Sequence, residues 1–182
     1  MKTLVIVSHP TPDQSRTIKA LEQLAARLPN VSVRNIESLY GSDLNGFDVA
    51  AEHQAVEAAD RVVFLFPIHW FNLTPMLKAY LNQVWSYGWA FGPNGEALKG
   101  KEMLVVVSAG ATEFTYSAEG LIHSTIDEVL TPMKASALYV GMDYLEPLAF
   151  YSAMGVSEAT LDQFRLAFAG RLTQPTESSA QL

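Results

Sequence analysis

The chain has 182 residues, of which 49% are hydrophobic and 17% charged, with a formal net charge of −7 and no cysteine. That length suits one domain with a full core, and the composition excludes disorder. The acidic balance argues against a nucleic-acid partner, and the absent thiols remove disulfides, Cys-ligated zinc, iron–sulfur clusters and thiol nucleophiles. No apolar run approaches the ~18 residues that span a bilayer. The opening segment has only a five-residue apolar run and no cleavage-site pattern, so a cytoplasmic protein is expected.

Thr3–Val7 is a continuous β-branched apolar run, the pattern of a strand covered on both faces, and it stops at Ser8-His9-Pro10. Ser15 stands where a helix N-cap would. Ile18, Leu21, Leu24, Ala25 and Leu28 then recur at helical spacing up to Pro29-Asn30. Val31, Val33 and Ile36 predict a second strand, Gly41 to Gly46 a loop, and Ala50–Ala59 a polar helix. Val62–Phe66 is a second buried strand, again ended by a proline. A helix is predicted from Pro75 to Tyr87 with proline in its first turn, and Gly92–Gly95 reads as a turn. Met103–Val107 is a third buried strand ending at Ser108-Ala109-Gly110. A helix over Ile122–Leu130, a short strand over Ala137–Val140 and a last helix marked by Leu161, Phe164, Phe168 and Leu172 complete the pattern. The alternation predicts an α/β three-layer sandwich with a central parallel sheet, one domain over residues 1–172, and a frayed polar tail over 173–182.

Ligands of open parallel sheets bind beyond the carboxyl ends of the strands. Three segments occupy those positions here. The first has neither GxxxxGK nor GxGxxG, so it is neither a P-loop nor a dinucleotide fingerprint. It offers the hydroxyls and amides of Ser15, Arg16 and Thr17 at a helix N-terminus, suited to a phosphomonoester, although Ser15 acting only as an N-cap is about as good a reading. The second, Pro67 to Phe71, sets His69, Trp70 and Phe71 in a loop, where a flat apolar ligand would be at home, whereas Leu77 and Trp85 read as core. The third, Ser108-Ala109-Gly110, is small enough for backbone amides to approach a ring edge. His53 reads as surface. No His, Asp or Glu spacing suggests a metal, and no G-x-S-x-G elbow supports a hydrolase.

With these segments in view, the chain resembles the flavodoxin-like NAD(P)H:quinone oxidoreductases. It is similar in particular to the small FMN-binding members that serve as ancillary proteins of glutathione-regulated potassium-efflux systems. The resemblance rests on Ser8-His9-Pro10, on Pro67, Trp70, Thr74-Pro75, Leu77 and Lys78, and on Gly88–Gly92 with Ala97–Lys101. It also rests on Tyr116, Ser117, Gly120 and His123, and on Leu145–Pro147. It implies FMN, with FAD the lesser choice, and NAD(P)H as co-substrate. His9, Ser15, Arg16, Thr17 and Ile18 would hold the phosphate and ribityl chain. Ile68, His69, Trp70 and Phe71 would line the flavin ring, and Ser108, Ala109, Gly110 and Ala111 its pyrimidine edge. Tyr116 and His123 match the catalytic pair of the larger members, in which hydride passes from the nicotinamide to the flavin and then to a quinone. The family often has asparagine where Ile18 stands, and Gly-Gly where Gly110-Ala111 stands. A homodimer is implied as well, consistent with the aromatic density from Trp70 to Phe91. The alternative reading is a regulatory subunit that binds and activates a potassium-efflux transporter. A one-electron carrier fits less well, since the negative charge is moderate for a steered encounter.

Overall fold

The computed structural model describes residues 1–11 and 14–173. Five strands lie parallel in the order β2-β1-β3-β4-β5, with β1 at Thr3–Val7, β2 at Val31–Asn35, β3 at Arg61–Pro67, β4 at Glu102–Ser108 and β5 at Asp143–Tyr144. A sixth, β6 at Leu148–Phe150, pairs with β4 farther along the same side as β5. Both run parallel to β4, so every strand's carboxyl end points to one pole of the molecule.

Period-two alternation within the apolar strands feeds two separate cores. Leu4, Ile6, Phe64, Phe66, Val105 and Val107 pack on one face of the sheet, under α3 (Val49–Glu57), α4 (Pro75–Val84) and α6 (Thr131–Tyr139). Val5, Val7, Val63, Leu65, Leu104 and Val106 pack on the other face, under α1 (Arg16–Ala25) and α7 (Glu158–Thr173). These strands are buried on both faces, which is why they read as unbroken apolar runs rather than as alternation. The expected three-layer α/β sandwich is what the chain forms.

Local differences from the sequence reading have identifiable causes. The second strand does not reach Ile36. It stops at Asn35, whose side chain accepts from the Ser38 amide and so starts a short helix, α2 (Ile36–Tyr40). The helix expected over Ile122–Leu130 is confined to α5, Ile126–Val129, because Thr125 and Glu128 form a reciprocal capping box that sets its start. Ala137–Val140 is not a strand. It is the end of α6, where Met133, Ala137 and Val140 bury one helical stripe. The strand follows only after Gly141, whose φ of 76° turns the chain. Thr173 is the last residue of α7 rather than the start of a tail, and the expectation for residues 174–182 lies outside the described residues.

A buried ion-pair cluster ties β2 to the helices. Glu52, fully buried on α3, accepts from Arg34 Nε at 2.8 and 2.9 Å and Nη2 at 2.6 Å, from Tyr40 Oη at 2.5 Å and from Tyr80 Oη at 3.1 Å. The carboxylate partner raises the Arg34 pKa, and burial beside that carboxylate pushes both phenols upward. His53 is not free surface. Its Nε2 donates to the Val84 carbonyl at 2.7 Å, and its ring stacks on Trp89 with centroids 3.6 Å apart and planes 5° apart.

Candidate functional site

Proline ends β3, and the N-cap Thr74 starts α4, so the six residues between are held at both ends at the carboxyl pole. Within them His69 and Asn72 exchange both backbone hydrogen bonds, His69 N to Asn72 O at 3.0 Å and Asn72 N to His69 O at 2.9 Å. The two residues enclosed are Trp70 and Phe71, with φ of 47° and 60°. This two-residue turn has both central residues left-handed, a geometry normally filled by Asn-Gly. Large side chains in that region cost ~1–3 kcal/mol each. Trp70 is 94% exposed and Phe71 44%. The turn therefore displays two aromatic rings at an energetic cost that little burial offsets.

The same strain recurs across the pole. Among the described residues six non-glycines have positive φ, and four of them are Trp70, Phe71, His123 and Ser152, all in loops at the carboxyl ends; the other two are asparagines, which tolerate it. Such backbone concentrates where geometry is kept for a ligand.

At the first strand, His9 Nδ1 accepts from the Thr11 amide at 3.0 Å, which leaves the neutral ring's proton on Nε2. The rings of His9 and His69 meet edge to face, 6.4 Å apart. Burial, and next the neighbouring His69, lower the His9 pKa. Ser15 is the N-cap of α1, accepting from the Ile18 amide at 3.2 Å. The amides of Arg16 and Thr17 make no hydrogen bond among the described residues, so the start of α1 presents two free donors with the helix dipole behind them.

Two side chains of this turn differ from expectation. Arg16 does not turn toward the free amides of α1: its guanidinium is held by the Val156 carbonyl and the Glu158 carboxylate, each at 2.5 Å. Ile18 is 1% exposed and packs in the core with Val5 and Leu21, so it offers a ligand nothing. An apolar residue at the first inward position of an amphipathic helix belongs to the core, and that signal was present in the spacing.

The third loop follows β4. Ser108 and Ala109 are buried. Ile68 donates to the Ser108 carbonyl at 2.9 Å and Ala109 to the Phe150 carbonyl at 2.9 Å, which joins the loops after β3, β4 and β6. Ser152 and Ala153 donate back to the carbonyls of Ala111 and Ala109 at 2.9 and 3.0 Å. A Cβ at Gly110 would lie 3.2 Å from Met154 Sδ, so the loop lies close beneath that side chain.

Tyr116, 7% exposed, completes the wall. Its ring lies 6.1 Å from Phe71 and 5.8 Å from Tyr151, which makes an aromatic row across the pole. Burial raises the pKa of both tyrosines. Tyr151 was not a candidate from sequence; its place directly after a three-residue strand was hidden because that strand went unrecognised. His123 makes no hydrogen bond to Tyr116 among the described residues. Its Nδ1 is held at 3.0 Å by the Ala118 carbonyl, so it carries the proton there and leaves Nε2 open. Gly120 fixes this loop: a Cβ there would lie 1.8 Å from the Phe114 carbonyl oxygen, so no other residue fits.

Comparison with known proteins gives this geometry a lineage. A family model described as flavodoxin-like fold matches residues 1–172. The chain is 40% identical over 158 residues, 87% of its length and 79% of the relative's, to the uncharacterised NAD(P)H oxidoreductase YdeQ of Bacillus subtilis. A structure named general stress protein 14 in complex with FMN, from Treponema denticola, superposes with TM-score 0.84 at 35% identity, covering 94% of this chain and 96% of that one. An NADPH-quinone reductase from P. pentosaceus gives TM-score 0.87 at 27% identity, covering 96% and 99%. A protein from Streptomycin violaceusniger, at 37% identity and TM-score 0.90 over 94% and 99%, is named a thermophilic tryptophan halogenase. That name stands apart from the others, so the chemistry has to be argued from the site. By the family match and these similarities, the chain belongs to the flavodoxin-like NAD(P)H:quinone oxidoreductases.

Proposed function

We propose that the chain binds FMN and transfers hydride from a reduced nicotinamide nucleotide to a quinone-like acceptor. The observation that carries this reading is the strained Trp70–Phe71 turn, which holds two exposed rings beside Tyr116 where a flat heterocycle can lie. The rest of the pole fits the same ligand. The free amides of Arg16 and Thr17 suit a phosphomonoester, His9 Nε2–H is a nearby donor, and the close-packed Ala109–Ala111 loop suits a ring edge. FMN, when bound, supplies the two-electron redox chemistry.

The chain's own residues bind, orient and exclude water. Trp70 and Phe71 present the rings, and the bonds among the loops after β3, β4 and β6 keep their base rigid. Tyr116 is buried with its pKa raised, so it keeps its proton and can donate a hydrogen bond from Oη to developing negative charge. His123, anchored through Nδ1, keeps Nε2 available to hold or release a proton at the rim. We also propose a homodimer. Tyr87 is 70% and Tyr139 75% exposed, and Phe91 packs against both, 5.8 Å from each. An aromatic patch of this kind is enriched at subunit contacts. Sedimentation at micromolar concentration should give a dimer, and a purely monomeric species would overturn that part.

The central test is direct. The purified protein, or apoprotein reconstituted with flavin, should release FMN on denaturation, identified by chromatography, and should oxidise NADH or NADPH with menadione. A protein that neither carries nor takes up flavin would end this reading.

A further inference from the structure

A hydrogen-bonded chain at the end of β1 lies outside the residues assigned above. Thr74 Oγ1 caps α4 by accepting from the Leu77 amide at 3.2 Å. It lies 2.5 Å from Ser8 Oγ, and Ser8 donates to Glu37 Oε1 at 2.7 Å. The proton order is therefore Thr74 to Ser8 to Glu37. Ser8 and Thr74 are both 0% exposed, so neither hydroxyl has water as an alternative partner.

These contacts join two loops through a helix. Ser8 and His9 open the loop that leads to the free amides of α1, Thr74 closes the loop that carries Trp70 and Phe71, and Glu37 sits on α2 between them. Glu37 Oε2 is buried and has no hydrogen-bond partner among the described residues. A carboxyl retained only to cement the fold would be expected to have both oxygens satisfied, and an unmatched buried oxygen calls for another explanation.

We propose that Glu37 is a positioning residue for the cofactor: through Ser8 and Thr74 it sets the separation between the phosphate turn and the ring loop. This rests on the FMN reading above. Glu37 touches neither end of the ligand in that assignment; it acts by holding the two loops in register. Riboflavin, which lacks the phosphate, forgoes the contact with the free amides of α1. The separation therefore matters for FMN and much less for riboflavin.

Titration of apoprotein with each flavin, followed by quenching of flavin fluorescence, tests this. Wild type should prefer FMN. Glu37→Ala should weaken FMN about tenfold or more and riboflavin less than about threefold. Ser8→Ala should do the same, and the double variant should be no worse than either single, since both break one chain. Glu37→Gln, whose amide oxygen can accept from Ser8, should recover most of the FMN affinity. An unchanged FMN-to-riboflavin ratio in Glu37→Ala, a parallel loss of both flavins with falling Tm, or a Gln variant as impaired as Ala would overturn the proposal. Should Glu37→Ala fail to fold, Ser8→Ala carries the same comparison. Wild-type protein that binds neither flavin would sink the functional reading itself, an outcome distinct from wild-type binding with an insensitive ratio.

Discussion

Replacing Trp70-Phe71 by Asn-Gly should make the apoprotein more stable and abolish its capacity for flavin. Both central residues of the turn are left-handed, with φ of 47° and 60°. Asn and Gly adopt that geometry with little strain, so the exchange relieves ~1–3 kcal/mol per position. Against this stand three losses. Phe71 is 44% exposed, so its burial contributes about 1 kcal/mol. Its edge contact with Tyr116 at 6.1 Å adds roughly 0.5–1 kcal/mol, and the entropy of a new glycine costs about 0.5–1 kcal/mol. Trp70, at 94% exposure, forfeits almost nothing. Taken at the midpoints of these ranges, the balance is a gain of roughly 1–2 kcal/mol, which for a chain of this size raises Tm by roughly 2–8 °C. Thermal unfolding of wild-type and variant apoprotein by circular dichroism reads the first half, and flavin content the second. A variant that melts lower than wild type would refute the claim that the turn stores strain, and one that still carries flavin would refute the claim that the strain serves the ligand.

Tyr116→Phe should slow flavin reduction by NADH or NADPH about tenfold or more in stopped-flow while leaving Tm nearly unchanged, because the lost hydroxyl has no protein partner among the described residues. Equal rates would remove Tyr116 from the chemistry. Glu52→Ala strands Arg34 beside two phenols, and since Arg34 keeps 24% of its side chain exposed the cost should be about 3 kcal/mol, or roughly 6–12 °C in Tm. A shift below about 2 °C would show that the cluster is not a stability element. His9 has a folded pKa below its ordinary 6.5, through burial first and His69 second. The unfolded chain therefore takes up the proton first, and apoprotein stability should be full above pH 6.5 and decline as pH falls through the lowered value. His9→Asn should flatten that decline in a series of melts from pH 7.5 downward. An identical slope in the variant would contradict the assignment.

The large elements were readable because their physics is local. Thr3–Val7, Val62–Phe66 and Met103–Val107 are apolar throughout, and only a strand covered on both faces needs that. Pro75 in a first turn and Ser15 as an N-cap announced their helices. Ala137–Val140 misled because β-rich composition at a helix end looks like a strand until the stripe from Met133 is counted. The loops after β1, β3 and β4 were located correctly as segments, but side-chain direction within them was not legible. Arg16 is held by Glu158, an outcome that depends on a partner 142 residues away in sequence. The Thr74–Ser8–Glu37 chain escaped for the same reason.

The tandem arrangement of β5 and β6 along β4 bears on how this protein avoids unwanted assembly. The outermost rank of the sheet on that side is not one strand but pieces of two and three residues, with Leu145-Glu146-Pro147 between them. An exposed edge templates pairing with another chain only if it offers a continuous row of amides and carbonyls, and proline removes one donor from that row. At the opposite edge, β2 is anchored by the Arg34–Glu52 pair to the helices behind it. Growth of the sheet from chain to chain is thus discouraged at the β5–β6 edge.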